Sequence, residues 1–353
     1  MLPLSSAQNI AALFGLKVSS LTPITGGLIN HTYRVSNEGG EAFILQQINN
    51  RVFADPLAVQ QNYLLLYEAL VALYPMPRLI KTNDGEPAAF VDGVWWRCFS
   101  YIPFSYTASN DGPPELAYAT AHCFGHFMAA LSNRDLPIKT ILQRFHDLPY
   151  RASQLLDARS VAHDQRLKAA SHCLDQLDDY VFLLKMYAYW MDHPEKYPQR
   201  ILHHDAKPSN ILFDERTHQI ICPIDLDTTQ PGLFFSDLGD MLRSLAPSHG
   251  ENETQFTQME LRPLHAEALT QGYLDATGAR LSADERKDLP YSGMVLLYMQ
   301  AMRFLADYLN NDVYYRVEYE GQNLNRAINQ LTMLKQMHAW VKNNERKPRT
   351  FWL

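Results

Sequence analysis

The chain has 353 residues, 46% of them hydrophobic and 20% charged, with a formal net charge of −7. That length exceeds the roughly 100–200 residues of one domain, so two lobes are expected from an otherwise ordinary globular composition. The charge is spread along the chain and the one basic run is the short tail Arg346–Lys347–Pro348–Arg349, so neither a nucleic acid nor an anionic membrane is an expected partner. The N-terminal segment has no basic start and no sustained apolar run of the signal-peptide kind. No stretch reaches the about 20 apolar residues of a membrane-spanning helix. A soluble, cytoplasmic protein is therefore expected. Cys98, Cys123, Cys173 and Cys222 form no Cys-x-x-Cys pair, which points to reduced, buried thiols rather than to a disulfide framework or a zinc site.

In chain order, Ser5 or Ser6 can cap a first helix that carries Ile10, Leu13 and Phe14 on one face and stops at Gly15. The period then changes: Thr32–Ser36 and Ala42–Ile48 alternate like strands around the hairpin signal Asn37-Glu38-Gly39-Gly40. Asp55-Pro56 has the form of a helix start, with Val59, Tyr63, Leu66 and Leu70 following at helical spacing. Extended runs come next at Arg78–Thr82, Pro87–Val91 and Val94–Phe99, with turns at Asn83-Asp84-Gly85 and Asp92-Gly93. From Pro113 the pattern is helical in Glu115–Leu131, Gln165–Asp192, Pro263–Thr277, Ser282–Leu309 and Gln322–Asn343. One β interlude, from Arg200 to Asp227, interrupts it. The sum is an α+β protein with a small antiparallel sheet first and helices after it.

The interlude reads ILHHDAKPSNILFDERTHQIICPIDLDT. His203-x-Asp205-x-Lys207-x-x-Asn210 precedes the strand Ile211–Phe213, and a second strand, Ile220–Ile224, ends on Asp225. Phosphoryl transfer needs a carboxylate that orients a hydroxyl and accepts its proton, together with oxygen ligands for Mg²⁺. Asp205 can act as that base, Asn210 and Asp225 can hold the metal, and Lys207 can balance charge on the moving phosphoryl group. A lone HxD would be a chance loop sequence with Asp225 capping the next element; the full set, framed by two strands, argues against chance. A metal site from His203, His204 and Asp205 is the other reading. Adjacent histidines diverge on an extended strand, and no further ligand is evident.

HHDAKPSN…IDLD resembles the catalytic and metal loops of the aminoglycoside phosphotransferase and choline kinase superfamily, relatives of the protein kinases. ITGGLINHTYRV, FILQQINNRVFADP, HHDAKPSNILFD, IDLDTTQPG, DLGDMLRS and AMRFLADYLNNDVYYRV are similar to segments of N-acetylhexosamine 1-kinases and span about residues 24 to 317. The resemblance implies a protein-kinase-like bilobal fold, with an N-lobe at 1–100, a helical C-lobe at 101–353, and ATP with Mg²⁺ in the cleft near Gly26 and Asp225. It implies that Gly26 and Gly27, with Asn30 and Thr32, form a turn whose amides approach phosphate; a plain β-turn is the alternative. By position, Ser100–Ile102 is the hinge, and backbone there would meet adenine.

Protein kinases carry a lysine where FILQ puts Gln46, which can donate to a phosphate but brings no charge. The phosphates would then be neutralised by Mg²⁺, Lys207 and backbone amides. About ten residues separate Asp225 from the helix near Ser236, too few for a peptide-docking activation loop, so a protein substrate is not expected. Thr228 would sit near the transferred group. Arg303 and Asp307 share a helix face, with Tyr314 just beyond. By themselves they read as an exposed ion pair with a core tyrosine; the resemblance implies that the arginine and tyrosine contact a hexosamine. An arginine there would repel choline or a polyamine, which needs carboxylates or an aromatic cage. The implied activity is phosphorylation of the anomeric hydroxyl of N-acetylglucosamine or N-acetylgalactosamine. A kinase for another small alcohol (choline, homoserine or an aminoglycoside) and a non-catalytic pseudokinase stay as rivals.

Overall fold

The computed structural model describes residues 2–24 and 29–345. The chain first forms α1 (Leu4–Ala12), β1 (Val18–Ile24), β2 (His31–Asn37), β3 (Ala42–Ile48), α2 (Pro56–Leu70), β4 (Leu79–Ile80), β5 (Ala89–Val91), β6 (Val94–Ser100) and β7 (Ser105–Tyr106). It continues as α3 (Pro114–Leu131), α4 (Leu148–Val161), α5 (Asp164–Asp178), α6 (Phe182–Asp192), β8 (Arg200–Leu202), the hairpin β9 (Ile211–Asp214) and β10 (Ile220–Pro223), and β11 (Gln230–Gly232). The helices α7 (Phe235–Leu245), α8 (Pro263–Thr277), α9 (Ala283–Asp288), α10 (Ser292–Leu309) and α11 (Gln322–Glu345) complete it. This is the expected α+β arrangement. Its contacts divide into two units. One holds the chain up to Thr107 with Arg134–Gln143 and Ile211–Gln230; the other holds Ala108–Asn133, Arg144–Asn210 and the chain from Pro231 on.

The first unit is built on an antiparallel sheet in the order β1-β2-β3-β6-β4, with β5 also paired to β6. Alternation assigns its faces. Tyr33, Val35, Phe43, Leu45, Trp96 and Cys98 point to the side covered by Ala7, Ile10, Ala11 and Phe14 from α1 and its following turn. Ile48 and Trp95 point to the other side, with Phe53, Val59 of α2, Ile141 and Leu142. The segment around residue 141 is held by Gln230, whose Oε1 accepts from the amides of Ile141 and Leu142 and whose Nε2 donates to the Leu142 carbonyl. Asp55 caps α2 by accepting from the Ala58 amide, as its sequence implied. The cap expected for α1 is different: the helix starts at Leu4 behind Pro3, so Ser5 and Ser6 lie inside its first turn and no side chain caps it.

In the second unit α3 packs along α8, and α10 contacts α4, α5, α7 and α11. α10 is buried on nearly every side, as an apolar helix without a polar face must be. The helix expected over Gln165–Asp192 is two helices: a turn at 179–181 divides them, and the period runs across it because Leu177, Tyr180 and Leu183 are all buried. Ser282–Leu309 is likewise divided at Leu289-Pro290-Tyr291, where Pro290 has no N–H to continue the ladder. α4 was not expected. Only Leu148, Leu155 and Ala158 are buried along it, so its apolar period is faint, although Asp147 caps it through the Tyr150 amide. Cys98, Cys123, Cys173 and Cys222 are buried and take part in no disulfide. Among the described residues no helix is long and apolar enough to cross a membrane.

The crossing of α3 and α8 depends on two glycines. A Cβ at Gly272 would lie 2.4 Å from the Tyr118 carbonyl oxygen, and one at Gly125 would lie 2.9 Å from the Ala276 Cβ. Because the first obstacle is backbone, relief requires the helices to separate. Gly272→Ala is expected to destabilise the protein by about 1–3 kcal/mol in urea or thermal unfolding. Gly250→Ala, where nothing stands within 4 Å, should change stability little.

Candidate active site

The HHDAKPSN segment leaves β8 through a left-handed residue, His204, at φ 65°. Such a conformation costs an L-residue about 1–3 kcal/mol and persists only where its surroundings impose it. Here they do. The buried Asp237 carboxylate of α7 accepts from both loop amides, Oδ2 from His203 at 3.1 Å and Oδ1 from His204 at 2.7 Å. Burial pushes the Asp237 carboxyl up to about 6, against the downward pull of His203 and these two amides. The two histidine rings diverge. His203 packs edge-on against Phe124 and Phe127, whereas His204 Nδ1 lies 2.7 Å from the Ser236 hydroxyl. A Cβ at Gly232 would fall 2.4 Å from the His204 ring, which accounts for the glycine in the segment TTQPG.

The turn presents Asp205 half-buried, with two side-chain donors converging on it. Lys207 Nζ donates to Oδ2 at 2.8 Å, and Asn210 Nδ2 donates to the same oxygen and to the Asp205 carbonyl, each at 2.9 Å. Burial opposes ionisation, but Lys207, His203 and Asn210 outweigh it and hold the carboxyl below its ordinary value. Asp205 is thus an ionised acceptor at neutral pH, and Lys207 and Asn210 are gathered on the same carboxylate.

Asp225 follows β10 in the first unit and is also left-handed, at φ 58°, before the short 3₁₀ turn Leu226–Thr228. Thr228 is buried in that turn. Asp227 is the anchor. Arg97 of β6 meets it in a fork, Nη1 to Oδ1 at 2.6 Å and Nη2 to Oδ2 at 2.8 Å, and Asn30 Nδ2 adds a third bond at 2.9 Å. The pair is buried, its side chains 2% and 4% exposed. Gln46 is joined to the same group: its Oε1 accepts from Arg97 Nε at 2.8 Å and its Nε2 donates to Thr32 Oγ1 at 2.9 Å. Gly26 and Gly27 lie outside the described residues. Ser100 closes β6 with its Oγ accepting from the Arg78 amide, and the Ile102 carbonyl accepts from Ser105.

No three His, Cys, Asp or Glu among the described residues are gathered as a metal centre of their own. The candidate donors that remain, the Asn210 amide oxygen and the Asp225 carboxylate, are hard oxygen ligands of the kind Mg²⁺ takes in ones and twos together with phosphate and water.

In the second unit, Arg303 and Asp307 do not pair with each other. Asp307 is buried and accepts from the amides of Tyr314 and Tyr315 and from Asn323, so it shapes the 314–315 turn. Arg303 donates to Gln300 and lies over the ring of Tyr315, 5.6 Å from its centroid. Tyr314 is 75% exposed and stands edge-on to Tyr315. Of the expected acceptor residues, Arg303 therefore has the neighbouring tyrosine beside it. Arg151 of α4 donates to the carbonyls of Arg144 and Phe145 and to Gln154. His146 Nδ1 lies 2.5 Å from Ser236 Oγ, opposite His204. Burial, then His204, Arg303, Arg243 and Arg151, hold the His146 imidazole well below its usual value and therefore neutral.

Arg97, Asp227, Asp237, Ser236, His146 and Tyr315 were not singled out in the sequence. Asp227 sat in the quoted IDLD and Asp237 in DLGD; a charged residue inside the apolar run VWWRCF was the signal for Arg97. Asp237→Ala would leave two loop amides without an acceptor, at about 1–3 kcal/mol each. The expected result is a loss of stability of about 2–6 kcal/mol by the same reckoning, with hydrogen exchange at the His203 and His204 amides accelerated beyond the global change. Unchanged exchange at those amides would remove Asp237 as the anchor.

Solved structures with the same fold cover nearly the whole chain. An aminoglycoside phosphotransferase from Alicyclobacillus acidocaldarius is 15% identical, with a TM-score of 0.64 over 98% of this chain and 96% of its own. A microcompartment-associated aminopropanol kinase is 17% identical, with a TM-score of 0.61 over 98% and 99%. An amicoumacin kinase in complex with AMP-PNP, Ca²⁺ and Ami is 14% identical, with a TM-score of 0.59 over 93% of each chain. The sequence model of the phosphotransferase enzyme family matches residues 20–283, a span that includes the Asp205 loop, the Asp225 turn and the Asp237 anchor, and the chain belongs to that family.

Proposed function

We propose that this phosphotransferase is an ATP- and Mg²⁺-dependent kinase that phosphorylates the anomeric hydroxyl of an N-acetylhexosamine of the glucosamine or galactosamine type. The observation that carries the reading is the ionised Asp205 with Lys207 and Asn210 gathered on its carboxylate. In this reading Asp205 orients the acceptor hydroxyl and takes its proton, while Lys207 offsets charge on the transferred group. Asn210, whose Nδ2 is committed to Asp205, and Asp225 would hold Mg²⁺ through oxygen; when bound, the ion neutralises phosphate charge. Gly26 and Gly27, with Asn30 and Thr32 at the start of β2, would form the phosphate side of the nucleotide site, and the backbone of Ser100–Ile102 would receive the adenine. The amicoumacin kinase holds a nucleotide analogue and a divalent ion together, which supports the same pair of ligands here.

The acceptor class rests on Arg303, with Thr228 and Tyr314 as further contacts. Guanidinium and phenol groups donate to oxygen. They suit a neutral sugar with an acetamido carbonyl, whereas a cationic acceptor such as choline or an aminoglycoside would be repelled. The aminopropanol kinase fold match keeps a small amino alcohol as the second reading.

The first test is ADP release with and without N-acetylhexosamines, set against a panel of amino alcohols and aminoglycosides, with the phosphate position identified in the product. Asp205→Asn should lower turnover by about 10²–10⁴-fold with the fold intact; undiminished turnover would take Asp205 out of the mechanism. Stimulation by an amino alcohol and not by a hexosamine would overturn the sugar assignment and keep the kinase.

Arg303→Ala separates acceptor recognition from phosphoryl transfer. A hydrogen bond from a charged donor contributes roughly 1.5–3 kcal/mol, so kcat/KM for the sugar should fall about 10- to 150-fold. The KM for ATP should stay put. Steady-state kinetics varying sugar and ATP separately decide it: equal losses for both substrates, or a change in Tm alone, would put the hexosamine elsewhere.

A further inference from the structure

We propose that Arg97 is a positioning residue for the Asp225 turn, and that Gln46 serves Arg97 rather than the nucleotide. The proposal rests on the reading of Asp225 as a metal ligand.

The geometry is a row of side chains running across three strands. Thr32 on β2 is the register partner of Gln46 on β3, and Gln46 is the register partner of Arg97 on β6. All three project from the sheet face opposite the α1 core, as the alternation with Tyr33, Leu45, Trp96 and Cys98 requires. Hydrogen bonds link the row in order, Gln46 to Thr32 and Arg97 to Gln46. Both polar atoms of the Gln46 amide are thereby engaged within the sheet. The row then leaves the sheet through the fork from Arg97 to Asp227, and Asn30 closes it: Nδ2 donates to Asp227 while Oδ1 accepts from the Asn49 amide. The turn Leu226–Thr228 also packs on α2.

Asp225 stands two residues before the anchored carboxylate, in a left-handed conformation that no glycine relieves. A backbone so placed has to be over-determined by its neighbours. Asp227 accepts three hydrogen bonds from two side chains, Arg97 of β6 and Asn30 just before β2, which fixes the turn. A lysine at 97 could not do this. One ammonium cannot fill a planar carboxylate in bidentate fashion and reach Gln46 as well. In protein kinases the third-strand cation pairs phosphates and a helix glutamate. Here the sheet's cation stands one strand over, is buried, and is spent on the metal turn.

Arg97→Lys, Asp227→Asn and Gln46→Met test the assignment, each first shown to be folded by its thermal transition. The readouts are the Mn²⁺ concentration that half-maximally raises Tm at fixed non-hydrolysable ATP analogue, and the Mg²⁺ concentration for half-maximal ADP release. Loss of a partner behind a metal ligand typically weakens metal affinity about 10–100-fold. That shift is expected in both readouts for Arg97→Lys and Asp227→Asn, with turnover largely recovered at saturating metal and the acceptor KM unmoved. Gln46→Met, the mildest change and the one that keeps the buried ion pair, should shift the metal midpoint in the same direction and leave nucleotide KM at saturating metal unchanged. Gly272→Ala, which loosens the crossing of α3 and α8 in the other unit, should not move the metal midpoint; if it does, the shift reports stability and the proposal fails. Folded variants with lowered Tm and a wild-type metal midpoint overturn it too. A raised nucleotide KM with intact metal dependence in Gln46→Met would return Gln46 to the nucleotide. Wild-type protein without any nucleotide-dependent metal response would overturn the kinase reading and this proposal together, whereas a response shared unchanged by all three variants overturns this proposal alone.

Discussion

The Asp237 carboxylate on α7 is the point from which the second unit's chemistry is built. A loop that must expose a carboxylate, a lysine and an asparagine at one place cannot be held by a regular ladder of main-chain bonds, and its amides would be left without acceptors on burial. Asp237 supplies both acceptors at once, to His203 and His204. With that pair fixed, His204 is kept left-handed, its ring is turned toward Ser236 and Gly232, and Asp205 follows in a defined direction. The helix that carries Asp237 is among the most buried in the unit. It is clamped by close backbone approach to the start of α10 at Gly239 and by the aromatic cluster of Trp190, Phe234 and Phe235. Packing thus determines where the carboxylate stands, and the carboxylate determines where the loop turns.

The first unit uses the same device with a different composition. An ionised pair out of water carries a desolvation cost that only near-ideal geometry offsets, and removing one member typically costs about 3–5 kcal/mol. Arg97 and Asp227 meet that condition: the fork is bidentate, Nε is taken by Gln46 and the second carboxylate oxygen is shared with Asn30. Each of the two left-handed residues in the sequence motif is therefore tied to a buried carboxylate that accepts several donors: His204 through its own amide to Asp237, and Asp225 through Asp227 two residues on. Strain at a site of this kind is sustained by polar groups, whose directionality a purely apolar contact lacks.

Charge distribution around Arg303 bears on the acceptor proposed for it. Around Arg303 the neighbours are Gln300, Tyr315, Arg151 and a neutral His146, and the carboxylate on the same helix, Asp307, is turned away into the 314–315 turn. Asp307 is an example of a residue whose helical spacing suggests one partner while its burial gives it another. A surface ion pair would contribute little; an acceptor for two loop amides shapes the segment that brings Tyr315 onto Arg303.

Much of this protein was determined by local sequence. The Asn37–Gly40 hairpin, the Asp55-Pro56 helix start, the spacing of Asp205, Lys207 and Asn210 and the hairpin that ends on Asp225 all follow from turn chemistry, capping and short-range periodicity, which act over a few residues. What the tertiary structure decided are the interactions with no such local trace. Arg97 and Asp227 are 130 residues apart in the chain, Asp237 serves amides more than 30 residues before it, and the placing of the Tyr315 ring beside Arg303 goes with the turn that Asp307 holds. The breaks between α5 and α6 and between α9 and α10 were masked for a related reason: buried residues continue across both, so the apolar period reports the core and not the backbone. Spacing in sequence specifies which chemical groups a segment can offer. Which of them meet is set by burial, because a polar group taken out of water must find its partner wherever the fold has placed one.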